Sequence, residues 1–347
     1  MRKTKVYYRG CLIGGAIGDA LGWPVEFMTL KDIKSKYGDN GINNLVIGTR
    51  GRAEVTDDTQ MTLFTAEGLL RSETRGYNKG INEVEKCVYN AYLRWLYTQG
   101  ESIDANLNIY DGYLIKQKEL YVRRAPGITC LTALKNMEMG SVDNLINDSK
   151  GCGCVMRVAP VGLFYRPNFA FDKGMGCAAI THGNITGHLV AGTFSYIISS
   201  IISGMDIESS VKDSLIELSK YYNNENIIEI LKKAINLSKS RKSDEICIGE
   251  LGKGLIAEEA LAIAVFCALR YKDNFEKAII AAVNHDGDSD STGSLTGNIV
   301  GAYLGLNKIP KKWTSKLELY DVIIKISDDL SMGYSDQGDW WVKYPGY

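Results

Sequence analysis

Residues 284–297 read NHDGDSDSTGSLTG: Asp286, Asp288 and Asp290 alternate, the hydroxyls of Ser291 and Thr292 follow, and a glycine-spaced apolar stretch begins. A second acidic group, Thr56, Asp57 and Asp58, opens the segment TDDTQMTLFTAEGLL, which also runs into a helical pattern. A hydroxyl or acid at a helix start with Gln60 a turn later is an ordinary capping arrangement, so capping alone is one reading of the second group. Capping uses one acid, however, and the helix dipole asks for no more. Carboxylates this close repel one another unless a cation lies among them. Carboxylate and hydroxyl oxygens are hard ligands that suit Mg²⁺, Mn²⁺ or Ca²⁺ rather than zinc, and two such clusters facing each other could hold two ions.

A calcium loop of the EF-hand type is the first competitor, because the three alternating acids occupy its first, third and fifth positions. Its sixth position should be Gly and is Ser291; its twelfth should be Glu and is Gly297, so that reading fails. Three further segments carry chemistry or packing. GCLIGGAIGDALGWPVEF spaces Gly14, Gly18 and Gly22 by four residues, which reads as close helix packing and contains no dinucleotide-binding fingerprint. Glu26, in the loop beyond Pro24, is left over by that packing explanation. SKGCGCVMRVAPVGL is a glycine-rich loop of the kind that lets backbone N–H groups approach a phosphate. His182, in Thr181-His182-Gly183, reads either as a satisfied structural histidine or as part of a site.

The elements that must position these residues are helical almost throughout. Val84, Val88, Tyr92 and Trp95 fall on one apolar stripe, and the same periodicity runs through 59–72, 128–137, 207–222, 226–240, 257–273, 274–285 and 317–330. Strand-like alternation is nearly absent. The six prolines, at 24, 126, 160, 167, 310 and 345, are expected in loops. No linker, charge block or fixed-period repeat divides the chain, so we expect one compact all-α domain over 1–347, with 306–347 a C-terminal helix and an aromatic tail packed on it.

Composition limits the partners. The formal net charge of -1 and the pI near 6.4 mark no nucleic-acid or anionic-membrane binder. Eight cysteines without a C-x-x-C pair predict reduced, mostly buried thiols in a cytoplasmic protein, with Cys152 and Cys154 serving as small residues of a tight loop. The basic and then apolar N-terminus imitates a signal peptide, but its apolar run is short and broken by Asp19, so it is expected to stay in the mature chain. The longest apolar run, 188–205, carries several Ser and Thr and reads as a buried core helix rather than a membrane span.

Taken in order, GxxxGDALGxPxE, TDDTxM, KGCGxxMRxAPxG, THG and GDSDSTGxxxGxxxGA make this chain resemble the ADP-ribosylglycohydrolases, from about Gly10 to about Gly305. That family includes the ADP-ribosylarginine hydrolases and the activating glycohydrolase of dinitrogenase reductase. The resemblance implies an orthogonal bundle of many helices and two divalent cations, Mg²⁺ or Mn²⁺. It assigns as metal ligands Thr56, Asp57 and Asp58 on one side and Asp288, Asp290 and Ser291 on the other. Ser291 stands where many members have Thr and keeps the hydroxyl; Asp286 stands where many have Gly or Ser and receives no metal role.

The implied reaction is hydrolysis of the N-glycosidic bond between ADP-ribose and a protein side chain, releasing ADP-ribose. Glu26 is the candidate for orienting or deprotonating the water, with Asp58 sharing that work. Lys150, Gly151, Cys152, Gly153 and Met156 are expected near the diphosphate and proximal ribose, with His182 close by. Residues 123–130 look like a family loop near the cleft. KGCG, DSDSTG and the tail DWWVKYPGY resemble the arginine-directed members, so arginine is the expected acceptor and an ADP-ribosylated protein the expected partner. A serine or other ADP-ribosyl linkage, an inactive ADP-ribose-binding relative and a metal-dependent phosphohydrolase are the competing readings. The tail reads either as a cover over the site or as ordinary packing of Trp340, Trp341 and Tyr344. Oligomeric state is open, with a monomer expected.

Overall fold

The computed structural model describes residues 2–103 and 110–346; Tyr347, the last aromatic of the tail, lies outside the described residues. Within them the chain forms helices and connecting loops, and segments pair across the backbone only at two isolated bridges, Ala53 with Leu317 and Gly151 with Ile256. The first half contains α1 (Lys5–Gly22), α2 (Leu30–Tyr37), α3 (Asp57–Lys79), α4 (Val84–Thr98), α5 (Ile128–Lys135), α6 (Ala159–Phe164) and α7 (Pro167–Ala179). Then come α8 (Ile185–Ser203), α9 (Ile207–Leu218), α10 (Glu225–Ser238), α11 (Asp244–Gly249), α12 (Ala257–Arg270) and α13 (Phe275–Val283). The chain closes with α14 (Ser289–Leu304), α15 (Lys311–Thr314), α16 (Tyr320–Met332) and α17 (Trp340–Lys343).

The axis of the molecule is the pair α1 and α14, and glycine explains it. Gly10, Gly14 and Gly18 on α1 face Gly301, Gly297 and Gly293 on α14, backbone against backbone. A methyl group at Gly18 would fall on the Gly293 carbonyl, and one at Gly297 on the Gly14 carbonyl. Only residues without a Cβ allow this approach, so the four-residue spacing is a packing device. The consequence is functional: the end of α1 carrying Asp19 is locked beside the start of α14 carrying Asp288 and Asp290.

Around this axis the apolar stripes close one contiguous core, in which Trp95, Trp313, Phe64, Phe194 and Phe266 are fully buried. Helix α8 is long and apolar enough to cross a membrane by length alone, but 83% of that window is buried inside the protein, as expected of a core helix. All eight cysteines are free. The prolines are a correction: Pro160 and Pro167 lie in the first turns of α6 and α7, and Pro24 in a 3₁₀ turn, rather than in loops. A first-turn residue has no intrahelical partner for its N–H, so proline is at home there.

The segment 306–347 is more than one helix and a tail, since it contains α15, α16 and α17. Trp340 and Tyr344 pack edge to face, with the indole N–H of Trp340 donating to Thr74 Oγ1 at 2.9 Å and the Tyr344 hydroxyl to Asp329 at 2.7 Å. Thr74 lies in the C-terminal half of α3, so the ordinary-packing reading of the tail describes these residues.

Candidate functional site

Three helix ends meet at the site: the C-terminal end of α1, the N-terminus of α3 and the N-terminus of α14. Asp19 is fully buried at the first of these and accepts from the Thr56 N–H at 3.0 Å, the Thr59 N–H at 3.1 Å and the Thr59 hydroxyl at 2.5 Å. The Thr56 hydroxyl accepts from the Asp58 N–H at 3.3 Å. Asp19 and Thr56 therefore cap α3 between them, and the carboxylates of Asp57 and Asp58 are surplus to capping. Gln60 does not cap: its side chain turns inward, donating to the Val122 carbonyl and accepting from the Trp95 indole N–H.

A buried ion-pair network holds this turn from behind. Arg124 donates to both oxygens of Glu318, at 2.5 and 3.2 Å, lies 3.1 Å from Glu54, and donates to the Val55 carbonyl at 2.9 Å. Glu318 in turn accepts from the Val55 N–H. The neighbouring Gly127 N–H donates to Asp57 at 3.0 Å, which ties the 123–130 loop to the acidic cluster.

Across the gap, Asp288 caps α14 by accepting from the Ser291 N–H at 3.2 Å, and Asp290 accepts from the same N–H at 3.0 Å. The Ser291 hydroxyl donates to Asp58 at 3.3 Å and so links the two clusters directly. Asp58 Oδ1 is buried and has no hydrogen-bond partner among the described residues. Burial pushes the Asp57 carboxyl up to about 8 and drives Asp58 and Asp290 well above their ordinary values, with neighbouring carboxylates adding to the shift. Glu26, half-buried at the end of the 3₁₀ turn, is pushed up to about 8 by burial first and then by Asp288, Asp57 and Asp19.

Asp286 turns away from this group. It accepts from the Leu30 N–H at 2.7 Å, at the start of α2. The adjoining loop is bound back by the Phe27 N–H, which donates to the Gly287 carbonyl at 2.7 Å.

The glycine-rich loop is brought against the α14 cluster, but not by all of its residues. Cys152 meets it directly, its thiol donating to Asp288 Oδ2 at 2.8 Å. Gly151 and Gly153 lie against the His182 ring, close enough that a Cβ at Gly153 would stand 3.2 Å from His182 Cε1. Lys150 is ion-paired with Glu258 at the start of α12. Met156 is buried in the core, its carbonyl accepting from Thr62 at 3.3 Å.

His182 is almost fully buried, and desolvation holds its imidazole well below its ordinary value, with Arg157 and His188 adding to the shift. Arg157 is the residue the motif reading left without a role. It is fully buried, stacks over the Tyr92 ring at 4.5 Å and donates to the Thr181 hydroxyl at 2.7 Å. A guanidinium retained in an apolar run signals such a packed, hydrogen-bonded role. Asp19 was hidden in the same way, as one acid inside an apolar, glycine-spaced helix.

In chemistry the oxygens fit hard cations: clustered acids with suppressed ionisation, two hydroxyls and one buried carboxylate oxygen without a donor. Among the described residues no three acidic, His or Cys side chains are already gathered as a ligand set. Internal bonds from Ser291 to Asp58 and from Cys152 to Asp288 occupy one oxygen of each of these carboxylates.

With this geometry in place, comparison with known proteins assigns the family. Residues 3–339 match the profile described as ADP-ribosylglycohydrolase. The chain belongs to the ADP-ribosylglycohydrolase family. The ADP-ribosylarginine hydrolase Tri1 of Serratia proteamaculans is 26% identical over 331 residues, 93% of this chain and 78% of the relative. The ADP-ribosylhydrolase ARH3 of Mus musculus is 22% identical in a gapped alignment of 365 positions that covers 90% of this chain and 88% of the relative. A solved structure described as an ADP-ribosylglycohydrolase-related protein complex superposes with a TM-score of 0.63 at 22% identity, covering 96% of this chain and 99% of that one. The family is one of hydrolases, and the all-α architecture is shared with that solved structure.

Proposed function

We propose that this protein hydrolyses the N-glycosidic bond between ADP-ribose and a modified arginine, releasing ADP-ribose and restoring the side chain, in the cytoplasm and with two divalent cations, Mg²⁺ or Mn²⁺. The observation that carries the reading is the opposition of the two acid clusters, joined at Ser291 and Asp58, with capping already met by Asp19 and Thr56. Thr56, Asp57 and Asp58 would hold the cations from one side and Asp288, Asp290 and Ser291 from the other. When bound, such ions supply positive charge to fix the ribose hydroxyls and to acidify a water.

The chain's own groups do the rest. Glu26, at the edge of the acidic gap, orients the attacking water and takes its proton as the water oxygen bonds to C1″ and the C1″–N bond breaks through an oxocarbenium-like state. The bonding pair leaves with the nitrogen, so that the substituted guanidinium departs as neutral guanidine and regains a proton afterwards. Asp58 shares that task through its uncapped oxygen. In the glycine-rich loop, where Gly151 and Gly153 have no side chains against His182, the Gly153 N–H is offered to the diphosphate, since the Cys152 N–H donates to Leu255 and the Gly151 N–H to Ser149; Lys150 joins it only by leaving Glu258. The arginine acceptor is supported by the similarity to Tri1 and by the KGCG and DSDSTG motifs.

The test is mass-spectrometric product analysis with Mg²⁺ or Mn²⁺ and two peptides, ADP-ribosylated on arginine or on serine. Intact ADP-ribose released from the arginine peptide and abolished by EDTA is the expected result. Release from the serine peptide alone would move the acceptor, AMP as product would indicate phosphohydrolysis, and no turnover would indicate a binding protein.

A further inference from the structure

Phe27 is held in a conformation that its side chain does not favour, and its ring is left in solvent. Its φ is +59°, in the left-handed region that glycine enters freely and bulky residues rarely do. The cause is the backbone: its N–H donates to Gly287, the residue before Asp288, at 2.7 Å. The side chain is 64% exposed and joins neither the hydrophobic core nor a ring pair among the described residues. Its neighbours in the chain take the opposite course, with Val25 fully buried and Met28 packed against the core.

We propose that Phe27 recognises the leaving group, its ring face receiving the planar guanidinium of the ADP-ribosylated arginine. This rests on the glycohydrolase reading above and adds to it the residue that selects the acceptor. Phe27 stands at the seam between Glu26 and Asp288, so its position follows the two loops that carry the candidate base and one cation-binding cluster. A weakly hydrated, delocalised cation is the group that an aromatic face attracts without hydrogen bonds, whereas a serine leaving group presents no cation. Two exposed aliphatic side chains stand next to other loop residues tied to the acid clusters, Ile128 beside Gly127 and Leu255, whose carbonyl accepts from the Cys152 N–H. Neither has a ring face, so they do not make this distinction.

The experiment compares wild type with F27A, F27G, F27L and F27W, each with Mn²⁺. It reads kcat and KM on the arginine-modified peptide and, separately, the Kd for free ADP-ribose, which has no guanidinium. F27G keeps the backbone at ease while removing the ring, so it separates the ring from the conformation. Cation–π recognition predicts roughly a five- to thirtyfold loss of kcat/KM in F27A, F27G and F27L, retention in F27W, and an unchanged ADP-ribose Kd throughout. Equal activity of F27L and wild type, or of F27A and wild type, would overturn the proposal. So would a parallel weakening of ADP-ribose binding, which would give the ring to the ribose or to loop shape. A wild type inactive on the arginine peptide would remove the function and this inference together; an active wild type with unaffected variants removes the inference alone.

Discussion

At the residue scale, three alternating aspartates have two different occupations. Asp288 and Asp290 converge with Asp58 through Ser291, while Asp286 caps the first residue of α2. D288N should therefore abolish Mn²⁺ binding and turnover, whereas D286A should keep both and lose only about 1–2 kcal/mol of stability, the ordinary worth of a part-buried hydrogen bond to a carboxylate. The raised carboxyls of Asp57 and Glu26 add a pH dependence. Without cation, the folded protein keeps these protons up to about 8, while the unfolded chain releases them near the ordinary carboxylate value of about 4. The unfolded state thus binds fewer protons in that window, so metal-free stability should fall as pH rises through it and level off above. Binding a cation displaces the protons, so affinity should rise by up to about tenfold per pH unit for each proton released. Calorimetric titration of Mn²⁺ in buffers of different ionisation enthalpy, and melting curves with and without metal from pH 5 to 9, check both signs.

At the scale of the element, the glycine stripe between α1 and α14 sets the spacing of the site. Replacing Gly18 by Ala would drive a methyl group into the Gly293 carbonyl and push apart the helices carrying Asp19 and Asp290. Overpacking of this kind costs roughly 1–3 kcal/mol or more, and here the expectation is the upper end, with turnover lost in parallel. Gly76, also helical, faces open space within α3. Gly76→Ala should stabilise by about 0.5–1 kcal/mol with kinetics unchanged. Urea unfolding of the two variants, read beside kcat, distinguishes a stripe that positions the site from glycine used at random.

At the scale of the whole molecule, the C-terminal segment fastens the far end of α3. Trp340 is buried and bonded to Thr74, and Asp329 gathers Lys343, Tyr344 and Lys325. Thr74 is sixteen residues beyond Asp58 on one helix, or about 24 Å at the helical rise. W340A should cost about 3–5 kcal/mol by cavity formation and loss of the indole bond, while the folded fraction keeps its KM within about twofold. Denaturation together with KM on the arginine peptide tests this, because a tail that covered the site would change KM as strongly as stability.

Sequence alone determined the parts whose signal is local. Apolar periodicity placed the major helices, since a 3.6-residue repeat of buried positions is written in neighbouring residues. The two acid clusters were legible because adjacent like charges at a helix start exceed what one helix needs. Tertiary structure decided what depends on distant partners. It assigned the capping of α3 to Asp19, 37 residues away in the chain, and so released Asp57 and Asp58 from that duty. It turned Asp286 away to Leu30 and brought the Cys152 thiol to Asp288, choices that nothing in the residues beside them decides. It put Arg157 behind His182 and Arg124 behind Thr56, pairings set by how helices stack rather than by spacing along the chain. Local chemistry thus marked the two acid clusters, and the close approach of glycine-lined helices decided which of their residues face one another.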